Sequence, residues 1–243
     1  MLTVGNELCN ATVRQHLPAS DAEWNIVEFP AEIIERIRAT GVLATFSVHE
    51  VDHAVPLVRA LMAGGIDTIE LTLRTPAAMD ALVAICHEVP EVLVGVGTVL
   101  SPDQVSAVKK AGVAFGVAPG LNLRVVDAAR EMGLPFAPGI ATPSDLEAAA
   151  ERGCRLMKFF PAEPSGGVGY LKSLTAPYQH LGIEYIPLGG INAGNMRDYL
   201  AQPQVLAVGG TWLVQQEIVE RGDWQRITNQ AAEVVKWLSE TPK

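Results

Sequence analysis

From residue 42 onward the chain alternates two textures eight times, and this alternation limits the possible folds more than any other feature. Short runs rich in β-branched and apolar residues are each followed by a turn-forming residue and then by a longer stretch of helical periodicity. The strand-like runs are "VLATFSV" (42–48), "TIELTL" (68–73), "VLVGVGTV" (92–99), "FGVA" (115–118), "PFAPGI" (135–140), "LMKFFPA" (156–162), "EYIPL" (184–188) and "VLAVGG" (205–210). Segments between them, such as "SPDQVSAVKKAG" and "TPSDLEAAAERG", open near a capping residue or proline and end at glycine, as helices do. No linker or shift in composition divides the array. Residues 31–243 therefore read as one α/β domain, a (β/α)8 TIM barrel, preceded by an N-terminal extension over 1–30. The helix predicted in "PAEIIERIRATG" would close the bottom of the barrel, and "QQEIVERGDWQRITNQAAEVVKWL" predicts a last helix split at Gly222. A doubly wound open sheet competes, but it requires a glycine fingerprint after its first strand, and "VLATFSVHEVDHA" contains no glycine.

Composition narrows the function classes. Acidic side chains outnumber basic ones 27 to 18, a net charge of -9, which disfavours nucleic acid and anionic membrane surfaces as partners. No apolar stretch reaches the roughly 18 residues of a membrane span. Cys9, Cys86 and Cys154 are odd in number and unclustered, and the N-terminus has no basic region followed by an apolar core, so a cytoplasmic protein is expected.

One residue breaks the apolar texture. Lys158 sits inside "RLMKFFPAE", where an ammonium group buried without a partner would be costly. Alternate residues of a barrel strand point inward. On "TIELTLR" the apolar Ile69, Leu71 and Leu73 must meet the helices, which turns Thr68, Glu70, Thr72 and Arg74 toward the interior. Lys158 shares a face with Leu156 and Phe160 and would lie inside, opposite Glu70. Such a pair is either a structural ion pair or catalytic machinery. Apolar burial favours the neutral amine that attacks a carbonyl, and a neighbouring carboxylate can shuttle the protons. Arg74, further toward the top, would reach a substrate carboxylate. Two glycine pairs, Gly189–Gly190 and Gly209–Gly210, end the last two strands, where barrels often bind phosphate through backbone N–H groups.

"IELTLRT", "GVGTVLSPDQ", "APGL", "PGIATPSDL", "KFFPAE", "GGIN" and "VGGTWL", in this order, resemble the aldolases that act on 2-keto-3-deoxy-6-phosphogluconate (KDPG) and 4-hydroxy-2-oxoglutarate (KHG), over about residues 35–238. The resemblance implies a class I lyase that needs neither metal nor cofactor, commonly a homotrimer, cleaving a 2-keto-3-deoxy acid to pyruvate and an aldehyde. It assigns the Schiff base to Lys158 and the proton shuttle to Glu70. Arg74, Thr98, Pro119 and Phe160 would surround the pyruvyl part, and Gly189, Gly190, Gly210 and Thr211 would bind phosphate. The chain departs from the family pattern at Leu188, where "PTGGI" is usual, at Thr211 in place of serine, and in a first strand without the Pro-Val-Ile pattern. Leu188 motivates one alternative, an aldolase for an unphosphorylated acid. Others are a non-catalytic keto-acid or sugar-phosphate binding barrel, and a phosphate-binding isomerase.

The remaining reactive residues fit no site. None of His16, His49, His53, His87 and His180 stands at metal-ligand spacing with a partner. Trp24, Trp212, Trp224 and Trp237 are expected to pack the core, termini or a subunit contact. Cys154 is expected to be buried and inert, without a basic partner.

Overall fold

The computed structural model describes residues 29–240, so most of the 1–30 extension, with Cys9, His16 and Trp24, lies outside the described residues. Among the described residues nine short strands run β1 (Val42–Phe46), β2 (Thr68–Thr72), β3 (Leu93–Gly97), β4 (Phe115–Val117), β5 (Phe136–Ala137), β6 (Gly139–Ile140), β7 (Leu156–Phe159), β8 (Glu184–Pro187) and β9 (Val208–Gly210). The helices are α1 (Ala31–Thr40), α2 (Ala54–Ala63), α3 (Ala78–Glu88), α4 (Pro102–Ala111), α5 (Leu123–Glu131), α6 (Pro143–Glu151), α7 (Gly167–Thr175), α8 (Met196–Leu200), α9 (Gln216–Glu220) and α10 (Trp224–Glu240). All eight strand-like runs contain strands, each shorter than predicted.

All the pairings are parallel, in the order β5-β4-β3-β2-β1-β9 and, in a second section, β6-β7-β8. The architecture is a curled parallel sheet wrapped by helices. The expected fifth strand is broken because Pro138 has no N–H to continue the ladder, although its carbonyl still accepts from the Lys158 N–H at 2.9 Å. At the other junction only a bridge between Tyr185 and Val205 joins the sections, so the run expected over 205–210 is a regular strand only from Val208.

The local signals act as read. Ser101 caps α4 by accepting from the Gln104 N–H, with Pro102 in the first turn and Gly112 in the left-handed conformation behind it. Thr142 and Asp145 do the same for α6. The split of the last helix falls at Gly222, with φ 64°.

Two apolar layers follow from the strand period of two. Ile69, Leu71, Val94 and Val96 pack outward against helix residues such as Leu57, Leu61, Leu82 and Ile85. Leu43, Leu93, Phe115, Val117, Leu156 and Ile186 form a separate inner cluster, which Ile33 and Ile37 of α1 join. Helix α1 thus covers the amino ends of the strands, in keeping with its expected place. Arg38 binds both Glu184 oxygens at 2.9 and 3.0 Å, and Arg36 binds Asp67 at 2.8 Å, fastening α1 to β8 and to the residue before β2. The inner cluster fills the amino-terminal end of the curl and leaves polar groups at the carboxyl end. Among the described residues no helix is long and apolar enough to cross a membrane.

Candidate active site

Glu70 on β2 stands in register with Thr45 on β1 and Gly95 on β3. Lys158 on β7 is in register with Gly139 on β6 and Ile186 on β8. Both side chains project into the curl, as parity predicts, and meet across it: Lys158 Nζ donates to Glu70 Oε1 at 2.9 Å. The lysine side chain is 3% exposed and the glutamate 0%, so no bulk water screens the pair. Glu70 Oε2 is buried without a hydrogen-bond partner among the described residues, leaving one carboxylate oxygen free to accept a proton.

Glycine makes room for this carboxylate. A Cβ on Gly97 would lie 2.0 Å from Glu70 Oε1, so any side chain there would expel it. The Phe160 ring lies with its centroid 5.4 Å from Lys158 Nζ, within the range of a cation–π contact.

Above the pair opens a cavity of about 400 Å3. Of the predicted residues, Arg74, Lys158, Phe160, Gly189, Gly190, Gly210 and Thr211 line it. Thr98 joins through Arg74, whose Nε donates to its hydroxyl at 3.1 Å, and Thr98 has the unusual φ of 63° for a residue with a β-branched side chain. Pro119 is not among the lining residues. Its carbonyl group lies across Gly139, whose Cβ would be 2.2 Å from the Pro119 carbonyl carbon, so its place is at the strand junction beside the site.

The two glycine pairs differ. Gly189 and Gly190 have φ of 94° and 85°, and their N–H groups donate to no protein acceptor among the described residues. Gly209 and Gly210 have ordinary φ and instead yield space: the Leu188 side chain fills the Cβ position of the first at 2.6 Å, and the Trp212 ring that of the second at 2.2 Å.

Several lining residues escaped sequence reasoning. Thr45 lines the cavity at 3% exposure, and its position in register with Glu70 was available from strand parity. Trp212, expected only to pack, also lines the cavity, with its indole nitrogen buried and unpartnered among the described residues. Ile191 and Asn192 line it from the loop after β8, the last two residues of "GGIN", whose glycines alone were read as site residues.

A larger cavity, about 680 Å3, lies by the start of β8 and the end of α7. It lacks any partnered lysine and carboxylate among its lining residues, and the chemistry follows the buried pair rather than the volume. Cys154 is 9% exposed, and burial pushes its thiol up to about 11. The absence of a basic partner was an incorrect expectation: Arg155, Arg152 and Arg130 lie near enough to pull the value down, but burial outweighs them.

The family model described as KDPG and KHG aldolase matches residues 33–230. The KHG/KDPG aldolase of Escherichia coli (strain K12) is 45% identical over 203 residues, 83% of this chain and 94% of that protein. Among solved structures, a KDPG aldolase from Legionella pneumophila, with pyruvate captured as a covalent carbinolamine, superposes with a TM-score of 0.79 at 36% identity, covering 83% of this chain and 97% of that one. The KDPG aldolase of Zymomonas mobilis ZM4 with 3-phosphoglycerate has a TM-score of 0.77 at 33% identity, covering 84% and 95%.

Proposed function

The chain belongs to the KDPG and KHG aldolase family, and we propose that it cleaves a 2-keto-3-deoxy acid to pyruvate and an aldehyde through a Schiff base on Lys158. The observation that carries this reading is the buried contact of 2.9 Å between Lys158 Nζ and Glu70 Oε1 beneath an open cavity. The substrates are KDPG, giving glyceraldehyde 3-phosphate, and 4-hydroxy-2-oxoglutarate, giving glyoxylate.

The steps use groups within reach of one another. Glu70 takes a proton from Lys158, the amine lone pair attacks the C2 carbonyl carbon while the π electrons move to oxygen, and transfer of an N–H proton to that oxygen gives a carbinolamine, whose hydroxyl Glu70 protonates as water leaves. Loss of water forms the iminium. Glu70 takes the proton of the C4 hydroxyl, the C4 oxygen becomes a carbonyl, and the C3–C4 bonding pair moves toward the iminium nitrogen to form an enamine. Glu70 then returns a proton to C3, and water releases pyruvate from Lys158. Arg74, held by Thr98, faces the substrate carboxylate; Phe160 borders the pyruvyl end, and Pro119 stands at the strand junction beside the site. The Gly189 and Gly190 amides, with Gly210 and Thr211, take the distal phosphate.

Reduction with borohydride in the presence of pyruvate, followed by peptide mapping, is expected to leave a reduced adduct on Lys158. Pyruvate binding without such an adduct would overturn this reading in favour of a binding barrel.

Leu188 supports a second reading, an unphosphorylated substrate, because its side chain lines the cavity and offers no hydrogen bond. A preference of kcat/KM for the phosphorylated acid would eliminate it. The aldolase reading, whichever acid is cleaved, includes closure of the two sheet sections into one eight-stranded (β/α)8 barrel, a single domain from residue 31, and a cytoplasmic homotrimer. Light scattering would then give three times the 25.9 kDa chain mass.

A further inference from the structure

Glu163 places a carboxylate beside the turn that is read as holding an anion. Its backbone N–H donates to the Gly189 carbonyl at 2.9 Å, and the preceding Ala162 N–H donates to Leu188 at 2.7 Å. Its side-chain stem lies against Gly190, where a Cβ would come 2.6 Å from the Glu163 Cβ and 2.8 Å from its Cγ. A free carboxylate on this stem would repel a second anion at the Gly189 and Gly190 amides, by an amount that grows as the site loses water.

The carboxylate is not free. Tyr199 of α8, only 1% exposed, donates its hydroxyl to Glu163 Oε1 at 2.5 Å. Desolvation, this hydrogen bond and the Glu163 charge all raise the phenol above its ordinary value, so it remains a donor. Gly167, with φ 66°, borders the contact, a Cβ there lying at ordinary van der Waals distances of 3.4 Å from Glu163 Oε1 and 3.7 Å from the Tyr199 hydroxyl. Helix α8 is in turn tied to the same turn, because the Asn195 and Asn192 amides both donate to the Gly190 carbonyl, at 3.0 and 3.3 Å. The contacts form a loop from Gly190 through Glu163 and Tyr199 back to Gly190.

We propose that Tyr199 and Glu163 are positioning residues for the Gly189–Gly190 turn: the tyrosine hydroxyl holds the Glu163 carboxylate away from the distal anionic group of the substrate, and so sets the affinity for the phosphorylated acid. The proposal rests on the aldolase reading and concerns only the distal end of the pocket. Neither residue takes part in bond cleavage.

The test uses the full chain and four proteins: wild type, Tyr199→Phe, Glu163→Gln and the double variant. With KDPG as substrate, Tyr199→Phe is expected to raise KM roughly tenfold with kcat within about twofold, the size of one lost hydrogen bond to a charged group. The double variant is expected to return KM to near the wild-type value, because the neutral amide no longer repels the anion. Borohydride trapping of pyruvate on Lys158 is expected to be the same in all four. An unchanged KM in Tyr199→Phe, or a rise that Glu163→Gln does not reverse, would overturn the proposal. So would a wild type that traps pyruvate but never saturates with KDPG, and that outcome would leave the Schiff-base reading intact. Loss of pyruvate trapping in the wild type would instead remove the reading beneath it. Thermal melts of the variants separate a misfolded Tyr199→Phe from a folded one, and Glu163→Gln, an exposed substitution that keeps an acceptor for the tyrosine, gives a second independent measurement: KM equal to or below the wild-type value is expected, and a tenfold rise would refute the repulsion argument.

Discussion

Lys158 and Glu70, 88 residues apart in sequence, meet at 2.9 Å in a part of the curl that bulk water does not reach. Their strands belong to separate hydrogen-bonded sections of the sheet, so only the curvature of the whole brings the amine and the carboxylate together.

Removing one member leaves the other charge buried. Lys158→Ala is expected to abolish borohydride trapping and turnover and to destabilise the fold by about 3 kcal/mol. The double variant Lys158→Met with Glu70→Gln should recover most of that stability without recovering activity. Thermal melts beside a turnover assay would show this, and a Lys158→Ala protein with substantial turnover would refute the assignment. Glu70→Gln alone should lower kcat by a factor on the order of 100 to 10,000, the range for a proton shuttle.

Gly97 is required by space. Gly97→Ala would push against Glu70 Oε1 at 2.0 Å, and since the carboxylate is fully buried its displacement should lower kcat and thermal stability together. Gly169→Ala, inside α7 at a position where a Cβ meets nothing within 4 Å, is the matched control and should leave kcat unchanged while raising stability by about 0.5–1 kcal/mol.

Leu188 tests the substrate. Leu188→Thr offers a hydroxyl to the cavity and is expected to raise the ratio of kcat/KM for phosphorylated over unphosphorylated acid by roughly tenfold. It should also lower stability by about 2 kcal/mol, because Leu188 is 4% exposed and packs over Gly209. Steady-state rates on both acids and a denaturant titration measure the two effects.

Cys154 predicts an alkaline limit on stability. Burial lifts its folded pKa to about 11 from the 9.0 of an exposed thiol, so above pH 9 the unfolded thiol releases its proton while the folded one retains it. The stabilisation is therefore complete below pH 9 and falls as pH rises toward 11, by roughly 2 kcal/mol. Unfolding titrations at pH 8 and pH 10.5 should show a smaller alkaline loss in Cys154→Ala than in the wild type. Equal losses would show that another group dominates.

Much of this molecule is local in origin. The strand runs, the capped starts of α4 and α6, the break at Gly222 and the inward parity of Glu70 and Lys158 all follow from side-chain periodicity and backbone preference within a few residues. Even the interrupted strand has a local cause, the missing N–H of Pro138, although "PFAPGI" is apolar throughout apart from that break. What local pattern does not carry is distance between segments. Thr45 lines the cavity because β1 pairs with β2, and Trp212 because Gly210 lets its ring fold back, while Pro119 stays outside because its loop is occupied in covering Gly139.

The sequence by itself determined which residues form strands and helices, and which faces turn inward, because those choices depend on neighbours one to four residues away. Only the tertiary structure decided which inward groups meet: the lysine with the glutamate, the tyrosine with Glu163, the leucine with Gly209. Such pairings depend on strand order and on the curvature of the sheet, and these arise from burying two apolar layers at once, a property of the whole chain.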